Sequence, residues 1–288
     1  MSKVILITGA STGFGRYTVE TLAAEGHRVF ASMRDINGKN REHAGAIKAK
    51  GIEVVELDVT ETQSVEQAVA SVVNKAGRID VLINNAGVAS AGVSEAFTDT
   101  QVTALFDVNV IGLHRVTRAV LPIFRRKRSG LIINIGSILG RVTFPFFGIY
   151  GASKFAVEAI TDSLRYETSQ FGIDVALVQP SAYPTQMYSS AAQPHDTVKI
   201  EEYGDVGEIP GAMFESFMSM FEGADAPNPH DIAEAVATLI ETPAGQRPTR
   251  TVVGASFGAD TINNAIEPVQ ASSVKALSLD HLEILKTV

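Results

Sequence analysis

A chain of 288 residues with 45% hydrophobic side chains can bury one substantial core, so a single large domain carrying at most one inserted lobe is expected. A net charge of −8 opposes general attraction to phosphate backbones and anionic membranes, which argues against nucleic-acid and membrane partners. With no cysteine, disulfides and thiol catalysis are excluded and a reducing, cytoplasmic setting is expected; six histidines without paired ligand spacing predict no metal site.

Met1, Ser2 and Lys3 lead straight into the apolar run 4–8, which reads as a strand and is too short for a signal peptide; no window supports a membrane span. After it comes Thr8-Gly9-Ala10-Ser11-Thr12-Gly13-Phe14-Gly15, running into a helix expected over 14–24. Glycines at 9, 13 and 15 permit a tight turn and close backbone approach. Amides of Ser11, Thr12, Gly13 and Phe14 at the positive helix end suit a pyrophosphate. The strand-turn-helix setting strengthens that reading, since three glycines alone can simply make a turn.

The second strand, 28–32, is followed by Met33 and Arg34, with no acidic residue at its end. NAD sites usually place a carboxylate there for the ribose hydroxyls, whereas a guanidinium grips a 2′-phosphate. NADP(H) is therefore favoured, with NAD(H) possible because Asp35 could pair with Arg34 or serve NAD. Further strands are expected over 54–57, 81–84, 131–137, 174–179 and 251–253, and helices over 61–76, 101–127, 150–171 and 229–241. Seven strands alternating with helices predict an α/β fold, a doubly wound Rossmann-type parallel sheet with helices on both faces. The basic run 125–128 reads as a helix C-terminus rather than a nucleic-acid patch.

Residues 186–227 interrupt the alternation and are expected to form an irregular substrate lobe within a catalytic domain spanning 1–258. Met213, Phe217 and Phe221 repeat at helical spacing there, with Met218 and Met220 nearby, and Phe144, Phe146 and Phe147 approach from before Tyr150. A bulky or hydrophobic substrate is the expectation. The extension 259–288 is broken by Pro268 in this reading, and its role is left open between covering a neighbour, closing the cleft and fraying.

Tyr150 and Lys154 are spaced to share one helix face. A cation about 4 Å from the phenol, at an effective dielectric of about 20, favours the tyrosinate by roughly 4 kcal/mol before lysine desolvation is subtracted, which predicts proton exchange near neutral pH. Ser137 lies thirteen residues earlier, at the end of an apolar strand.

Taken together, Thr8 through Gly15, Asp58-Val59, Asn84-Asn85-Ala86-Gly87, Asn109, Ser137, Tyr150 with Lys154, and Pro180 through Thr185 resemble the short-chain dehydrogenase/reductase family, over residues 3–254. The resemblance implies that Asp58 and Val59 hold adenine and that Asn85, Ala86 and Gly87 line the adenosine side. It places Pro180, Ala182 and Thr185 around the nicotinamide carboxamide. Tyr150 would exchange the carbonyl proton, Ser137 would orient the oxygen, Lys154 would lower the tyrosine pKa and bind the nicotinamide ribose, and Asn109 would support a water relay. The implied activity is hydride transfer between NADP(H) and a ketone or secondary alcohol, in a homodimer or homotetramer built on the helices at 101–127 and 150–171. Two positions depart from the pattern: Ser181 stands where glycine is common, and Phe14 replaces an aliphatic residue. A non-catalytic dinucleotide sensor is the alternative on this fold, although a sensor would be free to lose the serine, tyrosine or lysine. A sugar-nucleotide epimerase or dehydratase fits the chain length and glycine spacing less well.

Overall fold

Seven short strands pair in parallel in the computed structural model, which describes residues 1–222 and 226–287. They are β1 (Val4–Ile7), β2 (Arg28–Met33), β3 (Glu53–Glu56), β4 (Val81–Asn84), β5 (Gly130–Ile135), β6 (Ile173–Pro180) and β7 (Arg250–Val253), in the order β3-β2-β1-β4-β5-β6-β7. Every residue of β1, β4 and β6 is buried, as continuous apolar runs covered on both faces require. The order reverses between β1 and β4, and at such a switch point the loops leaving the strands part to open a crevice.

Helices cover both faces. Early in the chain lie α1 (Gly13–Ala24), α2 (Arg41–Ala49), α3 (Thr62–Ala76), α4 (Asp99–Phe106), α5 (Leu113–Lys127) and α6 (Gly148–Ser169). The short α7 (Gln186–Ser189), α8 (Thr197–Glu202) and α9 (Asp205–Ser219) precede α10 (His230–Glu241), and α11 (Ala259–Ala276) follows β7. Val19 and Leu22 of α1 meet Ile232 and Val236 of α10 against Ile5 and Ile7. On the other face Val65, Val72, Val116, Val120 and Phe124 pack on Leu6, Leu82 and Ile132. Each fully buried aliphatic of this kind contributes about 1.5–3 kcal/mol, so the sheet is held from both sides.

Three expectations change, and one helix is new. The continuous helix over 101–127 is interrupted by a π-helical segment, Asp107–Gly112, between α4 and α5. Residues 186–227 are not irregular: their described part contains α7, α8 and α9. Pro268 does not break the tail, because it lies inside α11 with its ring exposed. Finally, α2 is a helix that the sequence pattern does not announce, its apolar stripe being only Ala44 and Ile47. The basic run does end a helix, with Arg128 as the left-handed cap of α5.

Candidate active site

The switch-point groove begins where β1 gives way to the glycine turn. Gly9 (φ +67) and Gly13 (φ +54) adopt backbone conformations that favour glycine. A Cβ at Gly9 would lie 2.7 Å from the Ala86 Cα, and one at Gly15 would run into the Gly9 carbonyl. Thr8 Oγ1 accepts from the Asn85 and Ala86 amides, each at 3.0 Å, while Asn85 Nδ2 donates to the carbonyls of Thr8 at 2.9 Å and Gly9 at 3.0 Å. The turns after β1 and β4 are thereby stitched together, and the Asn85 side chain is spent on that stitch. Ser11, Thr12, Gly13 and Phe14 line the groove at the start of α1, so a helix N-terminus faces it. This cradle, which any added side chain would fill, fits a dinucleotide.

Asp58, Val59, Ala86 and Gly87 line the groove. Asp58 Oδ1 accepts from Thr60 N at 2.9 Å and Thr60 Oγ1 at 2.7 Å, which fixes the turn after β3. Arg34, Lys39 and His43 line the groove as well. Arg34 is exposed and has no ion pair among the described residues. Asp35, in a left-handed conformation (φ +50), turns its carboxylate back to the Lys39 amide at 2.7 Å. Sequence reasoning misses Lys39 and His43; the signal available is a cluster of cations soon after the second strand.

The second half of the site lies beyond β5. Ser137, in extended backbone, accepts from Leu139 N at 3.1 Å and starts a short 3₁₀ turn, Ile138–Gly140. Glu158, buried on α6, pairs with Arg141 at 2.9 Å and Arg250 at 2.8 Å, binding the end of that turn and β7 to the helix. Because α6 starts at Gly148, Tyr150 and Lys154 occupy its first two turns, 7% and 6% exposed. The Lys154 Nζ lies 5.7 Å from the Tyr150 ring centroid and donates to the Ile135 carbonyl at 3.0 Å. Asn109 sits in the π-helical segment, a common device at functional sites. Its Oδ1 accepts from Val88 N at 2.9 Å, and its Nδ2 donates to Val88 O at 2.9 Å and Ser153 Oγ at 3.1 Å. Ser153 Oγ in turn donates to the Tyr150 carbonyl at 2.7 Å. Asn109 thus joins the loop after β4 to the helix carrying Tyr150, and Ser153, three residues beyond Tyr150, is the partner that the sequence does not assign.

A cleft opens from Ser137, Tyr150 and Lys154 toward the lobe. Pro180, Ser181, Ala182 and Thr185 form its edge after β6. Tyr183, 1% exposed, donates to Asp231 Oδ2 at 3.2 Å, and the Phe14 ring meets it edge-on at 5.6 Å. The bulk at Phe14 therefore packs against a buried tyrosine. Phe217 of α9 meets Phe147 at 6.0 Å and stacks on Tyr188 at 6.3 Å, while Phe257 meets Phe144 at 5.4 Å. Phe144, Phe147 and Phe217 line the cleft; Phe146 does not, its backbone being turned through φ +64. Phe257, just before α11, escapes sequence reasoning because its approach depends on how the chain returns after β7.

The chain matches the family model described as short chain dehydrogenase over residues 3–196. It belongs to the short-chain dehydrogenase family. A 3-ketodihydrosphingosine reductase from Bacteroides thetaiotaomicron is 40% identical over 70% of this chain and 72% of its own. Estradiol 17-beta-dehydrogenase 1 from Rattus norvegicus is 33% identical over 84% of this chain and 71% of its own. Among solved structures, a short-chain dehydrogenase from Streptomyces avermitilis superposes with a TM-score of 0.77 at 29% identity, covering 96% of this chain and 98% of that one. A single-substitution variant of actinorhodin polyketide ketoreductase with NADPH gives 0.72 at 30% identity, covering 90% and 97%.

As a short-chain dehydrogenase the protein is an oxidoreductase acting on CH–OH and C=O groups. Its electrostatics differ from the simple pair argument. Burial pushes the Tyr150 phenol above its ordinary pKa, the nearby Tyr188 adds to that, and only Ser137 pulls the other way. Burial also pulls Lys154 down to about 8. The expected drop in the tyrosine pKa is therefore reversed here. Desolvation acts on both groups, and the ammonium is committed to the Ile135 carbonyl.

Proposed function

We propose that this short-chain dehydrogenase reduces a bulky, hydrophobic ketone to a secondary alcohol with NADP(H). The observation that carries this reading is the gathering of Ser137, Tyr150 and Lys154 at the inner end of a cleft whose outer walls are Phe144, Phe147, Phe217 and Phe257. The relatives named for 3-ketodihydrosphingosine and estradiol, and a human retinol dehydrogenase 8 at 31% identity, carry largely apolar molecules in their names and support the same reading.

A nicotinamide cofactor bound in the groove would supply the hydride for the carbonyl carbon. Tyr150, kept neutral by burial, donates its proton to the carbonyl oxygen as charge develops there. Ser137 Oγ hydrogen-bonds the same oxygen and fixes its direction. Lys154, held by Ile135, presents its ammonium beneath the phenol, where it would also bind the nicotinamide ribose hydroxyls. Asn109 holds the loop at Val88 and, through Ser153, the first turn of α6. Asp58, Val59, Ala86 and Gly87 would hold the adenosine end, and Pro180, Ala182 and Thr185 the carboxamide.

Arg34 would recognise the 2′-phosphate, with Lys39 and His43 beside it. Arg34→Ala is expected to raise the Kd for NADPH by about 10–100-fold, the loss of one charge-assisted pair, and to change that for NADH by less than about threefold. Equal effects in titrations with both cofactors would overturn the preference.

The domain reading is a catalytic body, 1–258, with 186–227 as substrate lobe. The lobe is rooted by the Ser90–Ala192 bridge, and a side chain at Gly92 would run into Pro194. Phe217→Ala is expected to raise KM for a fused-ring ketone by about 10-fold, a loss of stacking and apolar area, while leaving KM for acetone within about twofold. Equal changes for both in steady-state kinetics would remove the lobe from substrate selection. A homodimer or homotetramer is supported by exposed Ile111 and Phe155 on the outer surface near α5 and α6. No described helix is long and apolar enough to cross a membrane, and a cytoplasmic setting accords with the absence of cysteine.

A further inference from the structure

Three tyrosines line the substrate cleft, and their hydroxyls have different commitments. Tyr183 donates to Asp231, and Tyr150 faces Ser137 at the reacting end. The Tyr188 hydroxyl has no hydrogen-bond partner among the described residues, although its ring is held on two sides, stacked on Phe217 at 6.3 Å and tilted against Phe221 at 5.4 Å. Its backbone is held as well. Tyr188 lies on α7, its carbonyl accepts from Ala191 N at 3.2 Å, and Ala192 N reaches across to Ala89 O at 2.9 Å. A half-buried phenol fixed by its ring, with its hydroxyl unclaimed, is an orienting donor waiting for an acceptor.

Charge along the same walls narrows what that acceptor can belong to. Among the described residues Lys154 is the only Lys, Arg, His, Asp or Glu lining the cleft, and it sits at the reacting end. A carboxylate or phosphate on the far part of a substrate would meet aromatic rings and no cation, so its desolvation would go uncompensated.

We propose that Tyr188 is a specificity residue, donating a hydrogen bond to a second, uncharged oxygen of the substrate. The substrate is then a neutral, largely apolar ketone that carries a further hydroxyl or carbonyl oxygen away from the reacting centre. This rests on the ketone-reductase reading above and deepens it. Burial raises the Tyr188 pKa to about 12, so the hydroxyl remains a donor throughout the working pH range. Tyr150 and Tyr188 line the same cleft, so one bound molecule can meet both phenols.

The test uses the full chain with NADPH and four rigid fused-ring ketones that differ only at the distal ring: hydroxyl, carbonyl, hydrogen or carboxylate. For the wild type, kcat/KM with the hydroxyl and carbonyl compounds is expected to exceed that with the plain ketone by about 10-fold, the value of one well-formed hydrogen bond in a desolvated site. The carboxylate should be slower than the plain ketone by at least about 100-fold. Tyr188→Phe should bring the first ratio to about one and leave the plain ketone's kcat/KM within about twofold, which also reports that the variant is folded. A merely structural role for the ring would not move the ratio. A preference that survives in Tyr188→Phe, turnover without preference in the wild type, or efficient reduction of the carboxylate overturns the inference while the reductase reading stands. Failure of every ketone to consume NADPH overturns both.

Discussion

Tyr150→Phe is expected to lower kcat/KM for ketone reduction by about 10³-fold and to leave the Kd for NADPH within about twofold. The variant keeps the ring, which packs with Ile138, Leu139 and Phe147, and removes only the hydroxyl that carries the transferable proton. The burial that raises the phenol's pKa also keeps its proton on at neutral pH, which suits a donor in reduction better than a base in oxidation. Reduction should consequently hold its rate from about pH 6 to 8, while alcohol oxidation should rise with pH over that range. Stopped-flow NADPH oxidation and fluorescence titration of the cofactor measure the two quantities separately. Retained turnover would remove Tyr150 from proton transfer, and equal loss of cofactor affinity would recast it as a binding residue.

Much of the sheet and of the reacting set is legible because the signals are local. Buried parallel strands are short apolar runs, the turn after β1 needs backbone freedom at Gly9 and Gly13, and Tyr150 and Lys154 are neighbours on one helix whatever else the chain does. What escapes reading depends on residues far apart in sequence. The π-helical segment at Asn109 is fixed by Val88, 21 residues away, and by Ser153, 44 residues away. Phe257 reaches the cleft only because the chain after β7 turns back to Phe144. Pro268 reads as a break because an interior proline removes one backbone bond; α11 tolerates this on an exposed face, where water can take the freed carbonyl. The tyrosine pKa moves against expectation for a related reason. A pairwise Coulomb argument takes the spacing from the helix and cannot see that the same fold removes water from both partners.

Lys154 carries the cost of that burial, so Lys154→Met should act in opposite directions on activity and stability. Lys154 is 6% exposed, and its pKa falls from the ordinary 10.5 to about 8. A lysine whose folded pKa lies below its unfolded value binds its proton less well in the folded chain. The resulting penalty is fully present below pH 8, shrinks as pH rises from about 8 to 10.5, and vanishes above that window. The fall of about 2.5 in pKa corresponds to about 3 kcal/mol at pH 7. Methionine has similar length and no charge; it forfeits the hydrogen bond to Ile135 O, worth about 1.5–3 kcal/mol when the donor is ionised. The net expectation at pH 7 is no loss and a gain of up to about 1.5 kcal/mol, seen as an equal or higher midpoint in urea. The wild type should also gain stability between about pH 8 and 10 relative to the variant, closing the gap between them. Turnover should fall by at least about 100-fold, because the cation beneath the phenol is gone. A variant that loses stability at pH 7, or a gap that does not narrow as pH rises through about 8, would show that the ammonium is stabilised in the fold rather than imposed on it for chemistry.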